Sequence, residues 1–171
     1  MPNDRELLFL TMVRQNDSRL RRICRVYAHD VEARKDLHQE ILLQLWRSLP
    51  SFSGASSLDT WVYRVALNTA LAQARRRLAR PDDTLTIEFQ EHEHATEAHV
   101  DEPIETGERM EQLLAAIDRL HDIDKMLITM YLDERSYREM ADVIGISESH
   151  VGVKLHRIRT ALARWLAEET V

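Results

Sequence analysis

The chain has 171 residues, room for one ordinary domain or two small ones. Four glycines and four prolines are too few for the many tight turns of a β-sandwich or barrel, which argues against an all-β fold; the helical patterns that follow give the expectation of an all-α fold. The formal charge of −6, read as one number, points away from nucleic acid, and the charge map reverses that reading. Residues 1–80 carry 14 Lys/Arg against 8 Asp/Glu, a net of +6. Residues 81–119 carry 2 against 12, a net of −10, and residues 120–171 carry 7 against 9, a net of −2. Separate partners for separate segments follow from such asymmetry.

In chain order, Asp4 is placed to cap a first helix whose apolar residues include Leu7, Leu8, Leu10, Leu20, Ile23, Val26 and Tyr27. Arg19, Arg21, Arg22 and Arg25 cluster on its second half. Cys24 is the only cysteine. That excludes an internal disulfide and a multi-cysteine zinc site, and its apolar neighbours predict a buried thiol. The N-terminus lacks the basic start and apolar core of a signal peptide, and no apolar run approaches the ~18 residues of a membrane span. A soluble, cytoplasmic protein without membrane insertion is expected.

A second helix is predicted over 33–49, with Leu37, Ile41, Leu45 and Leu49 as its core stripe. Leu43 and Trp46 fall off that stripe, beside Asp36 and Gln39. They mark either a partner surface or a helix buried on two sides. Pro50 and the run SFSGASS then form a loop. A third helix follows over 58–80, with Trp61, Val65, Leu71 and Leu78 assigned to its core face and a basic end at RRRLAR. Residues 81–104 have few large apolar side chains and read as an acidic flexible linker. Its His92, His94 and His99 lack a scaffold or supporting shell for a metal, so no metal site is assigned.

The part from 105 onward is helical again. Met110, Leu113, Leu114, Ile117 and Leu120 make one amphipathic stretch, and Met126, Leu127, Met130 and Tyr131 a second. Then comes SYREMADVIGIS, residues 136–147. Ser136 with Glu139 three residues on is a capping box, and Gly145 can take the left-handed conformation that ends a helix. Met140, Ala141 and Ile144 are expected to face inward, and Ser147 caps the last helix. There Val151, Leu155, Ile158 and Leu162 lie within about 60° of one another, opposite Ser149, Val153, His156, Arg157 and Thr160. A short helix, a glycine turn and a longer basic-faced helix form a helix-turn-helix that can read a major groove.

Two stretches carry a resemblance. One is DLHQEILLQLW (36–46), followed by FSGASSLDTWVYRVALN (52–68) and Arg75, Arg76 and Arg77. The other is SYREMADVIGISESHVGVKLHRIR (136–159) with Leu162. Together they resemble conserved regions 2 and 4 of bacterial RNA polymerase sigma factors, in the minimal layout of the extracytoplasmic-function group, without region 1 or a structured region 3. The resemblance implies two small helical domains, 1–80 and 105–171, and no covalent chemistry, catalytic residue or cofactor. It implies core RNA polymerase as partner, through its β′ clamp helices and β flap, together with promoter DNA and an anti-sigma factor.

On the matching positions, Asp36, Gln39, Glu40, Leu43 and Trp46 are implied to dock on the clamp. Phe52, Ser53, Trp61, Arg64, Asn68, Arg75, Arg76 and Arg77 are implied to take the minus-10 element. Melted DNA there needs a cationic track and a pocket replacing lost stacking. The spacing of Trp61 also fits the core, which is the preferred reading. Ser149, Gly152, Val153, Lys154, His156 and Arg157 match the minus-35 contacts. Gly152 departs from the family, where a basic residue is common, and Lys154 is the better phosphate candidate. His121 departs too, where a Leu-Pro pair usually starts the region; Asp122 is expected to cap that helix instead. The acidic linker is implied either to thread the polymerase cleft and be displaced by RNA or to act as an extended tether.

Overall fold

The computed structural model describes residues 4–78 and 104–168, and the expected linker falls almost wholly outside them. Among the described residues the structure is helical with no strand. The N-terminal bundle comprises α1 (Asp4–Tyr27), α2 (Val31–Ser48), a 3-10 turn (Leu49–Ser51) and α3 (Leu58–Leu78).

The start of α2 is fixed by Asp30, whose carboxylate accepts the Ala33 N–H at 2.7 Å, with Glu32 in the first turn complementing the helix dipole. Leu37, Ile41 and Leu45 are buried along one stripe. Pro50 cannot continue the α-helical ladder, and the chain passes into the tighter turn. On α1, Met12, Leu20, Ile23, Cys24 and Tyr27 are buried, and the helix packs chiefly on α2 and α3. Buried Asn16 is accommodated because its amide donates to the Met12 carbonyl at 2.9 Å. Burial pushes the Cys24 thiol up to about 11, which keeps it an inert packing group.

Asp4 is the first described residue of α1 and lies in its first turn. On α3, Ser57 is the cap, its Oγ accepting the Thr60 N–H at 3.1 Å. The inward face of α3 differs from expectation. Val62, Tyr63, Ala66, Leu67 and Ala70 are buried, while Trp61, Val65 and Leu71 are half-buried. Nearly every position of α3 near its middle is apolar or small, so its own pattern defines no single stripe. The packing partners choose the face, and Ala66 and Ala70 let neighbouring helices come close.

The C-terminal unit comprises α4 (Ile104–Asp118), α5 (Asp122–Leu132), α6 (Tyr137–Ile144) and α7 (Glu148–Glu168). The stripe Val151, Leu155, Ile158 and Leu162 is buried against α4, α5 and α6. Each such side chain removed from water contributes roughly 1.5–3 kcal/mol. His121, not Asp122, is the residue preceding α5, and it makes no side-chain cap bond. Asp122 sits in the first turn, where its charge suits the dipole, and its carboxylate receives Arg75 of α3 at 2.8 Å. The two units touch, chiefly where α3 packs on α6.

Candidate nucleic-acid and polymerase interfaces

The helix-turn-helix is built as its residues dictate. Ser136 Oγ accepts the Glu139 N–H at 3.2 Å while Glu139 Oε2 accepts the Ser136 N–H at 2.8 Å. Burial alone would raise the Glu139 carboxyl, but the bonds from Ser136 and Arg135 outweigh it and hold the carboxyl below its usual range. Gly145 ends α6 at φ +83°, a conformation costly for a residue with a Cβ. Ser147 caps α7, accepting the His150 N–H at 3.3 Å. Met140, Ala141 and Val143 are buried, with Ile144 only half-buried.

A prediction follows for this cap. Ser136→Ala should destabilise the C-terminal unit by about 1 kcal/mol in thermal melts. Because the folded-state pKa of Glu139 is depressed, its contribution is present above about pH 4.5 and is lost as pH falls through the folded value. The gap between native and Ser136→Ala melting temperatures should therefore narrow on acidification. A gap constant from pH 7 to pH 3 would show that the contribution of Ser136 does not depend on the charge of Glu139.

Ser149, Val153, His156 and Arg157 are all exposed on α7, on the side away from its buried stripe. Gly152 lies among them, half-buried beside an aromatic ring. A Cβ at that position would stand 3.4 Å from Tyr137 Cε2. Tyr137, the first residue of α6 and 42% exposed, thus borders this exposed row at Gly152. Sequence reasoning passed over Tyr137; its place one residue after the capping Ser136 was the available signal. Lys154 is half-buried, and its ammonium bonds Asp124 Oδ1 at 2.8 Å, so its charge is matched within the domain.

On α2, Asp36 and Gln39 are exposed, and Leu43 is 40% exposed despite being fully apolar. Trp46 differs from the expected outward position. The Phe9 ring meets it edge-on at 5.2 Å, the Arg5 guanidinium lies 4.2 Å from its ring centre, and Arg5 donates to its carbonyl at 2.7 Å. The first turns of α1 close over this indole. Asp36 and Glu40 share a groove of about 350 Å³ with Gln73, Arg76 and Arg77 of α3. The structure thereby joins residues that the sequence assigned to two different sites.

The loop before α3 is anchored by Phe52, whose ring lies 5.4 Å from that of Trp61 in a tilted arrangement. Gly54 takes φ +76° in the loop, and Ser53 is exposed. Arg64, Asn68 and Arg75 follow one another at helical spacing on a single face of α3. Asn68 is exposed, Arg64 donates to the Asp142 carbonyl at 2.6 Å, and Arg75 is held by Asp122. Arg76 is exposed and bonds the Ala72 carbonyl at 3.3 Å. Among the described residues, no group of three or more His, Cys, Asp or Glu could hold a metal ion, and no helix is long and apolar enough to cross a membrane. His92, His94 and His99 lie outside those residues.

A capped helix-turn-helix coupled to a basic three-helix bundle defines a two-domain DNA-binding architecture. Comparison with known proteins specifies it. The sigma-70 region 2 family matches residues 12–80, and sigma-70 region 4 matches residues 110–162. The chain is 31% identical over 142 residues to the RNA polymerase sigma factor YlaC of Bacillus subtilis, covering 80% of this chain and 79% of that one. It is 32% identical over 134 residues to the ECF RNA polymerase sigma-E factor of Escherichia coli K12, covering 74% of this chain and 70% of that one.

The fold is similar to that of RpoE from Bartonella quintana, solved with the anti-sigma factor NepR. That match has a TM-score of 0.70 at 20% identity, over 93% of this chain and 96% of that one. It is also similar to CnrH solved with the cytosolic domain of CnrY, with a TM-score of 0.68 at 17% identity over 94% and 88%. The chain belongs to the extracytoplasmic-function RNA polymerase sigma factors. It is a promoter-specificity factor of transcription initiation, and a regulator acting without polymerase is not favoured.

Proposed function

We propose that the chain divides its work between residues 1–80 and 105–171, with 81–104 as an acidic tether, and acts through three surfaces. The first is the α2 face of Asp36, Gln39, Glu40 and Leu43, which docks on the β′ clamp helices of core polymerase. Trp46 supports that face from beneath Arg5 and Phe9. The second surface takes the melted minus-10 strand. Phe52 and Trp61 shape the loop, Ser53 and Asn68 meet a base edge, and Arg64, Arg75, Arg76 and Arg77 track phosphates. The third is the outer side of α7. Ser149, Val153, His156 and Arg157 meet minus-35 bases, Gly152 allows close backbone approach, and Lys154 flanks the contact. Region 4 also meets the β flap.

The role is non-catalytic and cytoplasmic, and an anti-sigma protein covers one or more of these faces. The observation that best supports this reading is the division of α7. Four buried apolar residues on one side leave a polar and basic row exposed on the other. In vitro transcription with purified core enzyme on a fragmented genomic library tests it. Initiation from a discrete set of promoters sharing two spaced elements is expected. Initiation that is unchanged by adding the chain would overturn it.

A further inference from the structure

A hollow of about 390 Å³ lies between the C-terminal half of α1 and the first half of α2. Its cations come from both helices. Arg21 and Arg25 stand one turn apart on α1, and α2 supplies Arg34 and Lys35, with His38 one turn beyond Arg34. Among the described residues no carboxylate lines it. The groove between α2 and α3 is different, because there Arg76 and Arg77 share the space with Asp36 and Glu40. The volume falls within the roughly 300–1,000 Å³ of small-molecule sites.

Arg34 is held in place without being neutralised. Its Nε donates to the Ala28 carbonyl and its Nη2 to the His29 carbonyl, both at 2.9 Å. The connection between the helices thus fixes the guanidinium and leaves its remaining N–H donors unused. Burial, and then the charge of Arg25, lowers the Arg34 pKa. Arg25 is exposed and has no acidic partner among the described residues. Like charges crowded in this way are a cost that a bound anion removes.

The nearby acids are engaged elsewhere. Asp17 receives Arg21 at 2.7 Å and stands 3.5 Å from His38 Nε2, and Glu32 receives Lys35 at 3.2 Å. The Arg21 and Lys35 pairs are solvent-exposed, and such pairs contribute little. The Asp30 carboxylate caps α2 by accepting the Ala33 N–H.

We propose that this hollow is a binding site for a small polyphosphate, either inorganic or the phosphate end of a nucleotide, with Arg21, Arg25, Arg34 and Lys35 as donors. One phosphate carries at most about two negative charges, fewer than the two cations from each helix would match. Arginine also presents the paired donors that phosphate oxygens accept. Gln39 lines the hollow and belongs to the face assigned to the polymerase clamp, so an occupied site borders that face. Binding does not rest on that docking and is tested on the factor alone.

Calorimetric titration of the full chain in phosphate-free buffer with EDTA, at about 50 mM salt, uses sodium pyrophosphate, ATP, orthophosphate and adenosine. Pyrophosphate should bind at least about tenfold more tightly than orthophosphate, and adenosine should not bind. ATP binding more tightly than pyrophosphate assigns the site to a nucleotide, and equal or weaker binding assigns it to inorganic polyphosphate. Arg25→Gln with Lys35→Gln removes one cation from each helix at exposed positions. This double variant should melt as native does without ligand and bind pyrophosphate about tenfold or more weakly.

Arg76→Gln with Arg77→Gln removes the same charge from another part of the bundle and should bind pyrophosphate within about twofold of native. Equal losses in the two double variants would reduce the effect to net charge and overturn the site. Orthophosphate binding as tightly as pyrophosphate, or no binding of pyrophosphate and ATP up to about 5 mM, would overturn it too. A fluorescent 20-nucleotide single strand is the last arm. Strand binding that depends on Arg25 and Lys35 but is not displaced by pyrophosphate would assign the hollow to nucleic acid instead.

Discussion

Leu43→Glu should weaken association with core RNA polymerase by about 30-fold or more while leaving the fold intact. Leu43 is 40% exposed, whereas its helix is held in the bundle by Leu37, Ile41 and Leu45, each at most 1% exposed. A glutamate at position 43 therefore opens no cavity, and its stability cost should stay within about 0.5 kcal/mol. At an interface the same change removes an apolar anchor and places a desolvated charge beside Asp36 and Glu40. Central anchors of this kind contribute 2 kcal/mol or more, so the affinity loss should be about 30-fold or greater. Fluorescence titration of labelled factor with core enzyme measures the loss, and a thermal melt checks the fold. An affinity within threefold of native would place polymerase docking on another surface. Trp46→Ala would be a poorer probe. It strips packing from Phe9 and Arg5, so any binding loss would be mixed with destabilisation.

How far these faces could be read from sequence depended on how many neighbours each helix has. On α2 and α7 one side meets the core, so apolar residues recur every three or four positions and the pattern names the buried set. Helix α3 meets α1 and α2 on one side and α6 of the other domain on another. Its sequence is apolar nearly all round, and periodicity could not choose Val62 and Ala66 over Trp61 and Val65. Trp46 failed for a different reason. What covers it is Phe9 and Arg5, about 40 residues earlier, and no local spacing encodes that approach.

The charge map shares this limit. Counting gave residues 1–80 a net of +6, a sound reason to expect anionic partners. The structure shows where some of that charge goes. Arg19, Arg22 and Arg75 meet Asp133 and Asp122 of the other domain, and Arg76 and Arg77 share a groove with Asp36 and Glu40. A basic domain is thus not the same as a row of available cations. Segment counts carry the sign of the partner, while the availability of each side chain depends on contacts between residues far apart in the chain.

Two substitutions two positions apart on α7 should separate fold from recognition. Leu155 is 1% exposed and Arg157 is exposed. Leu155→Ala deletes buried methyl groups and leaves a cavity, which costs about 2–5 kcal/mol. In a domain this small each kcal/mol lowers the melting temperature by roughly 4–8 °C. The C-terminal unit should therefore melt at least about 8 °C earlier, and promoter binding should fall because the helix-turn-helix unfolds. Arg157→Ala touches no core contact, so its melt should stay within about 0.5 kcal/mol of native. Its loss should appear only in binding, at about 1–3 kcal/mol if the guanidinium reads a base edge. A phosphate role would instead weaken all sequences alike and lower the salt slope by about one. Promoter-fragment titrations over a salt series, run beside the melts, distinguish these outcomes. If Arg157→Ala binds the promoter as native does, the outer face of α7 is not the reading face. If Leu155→Ala melts as native does, the buried stripe does not hold the domain together.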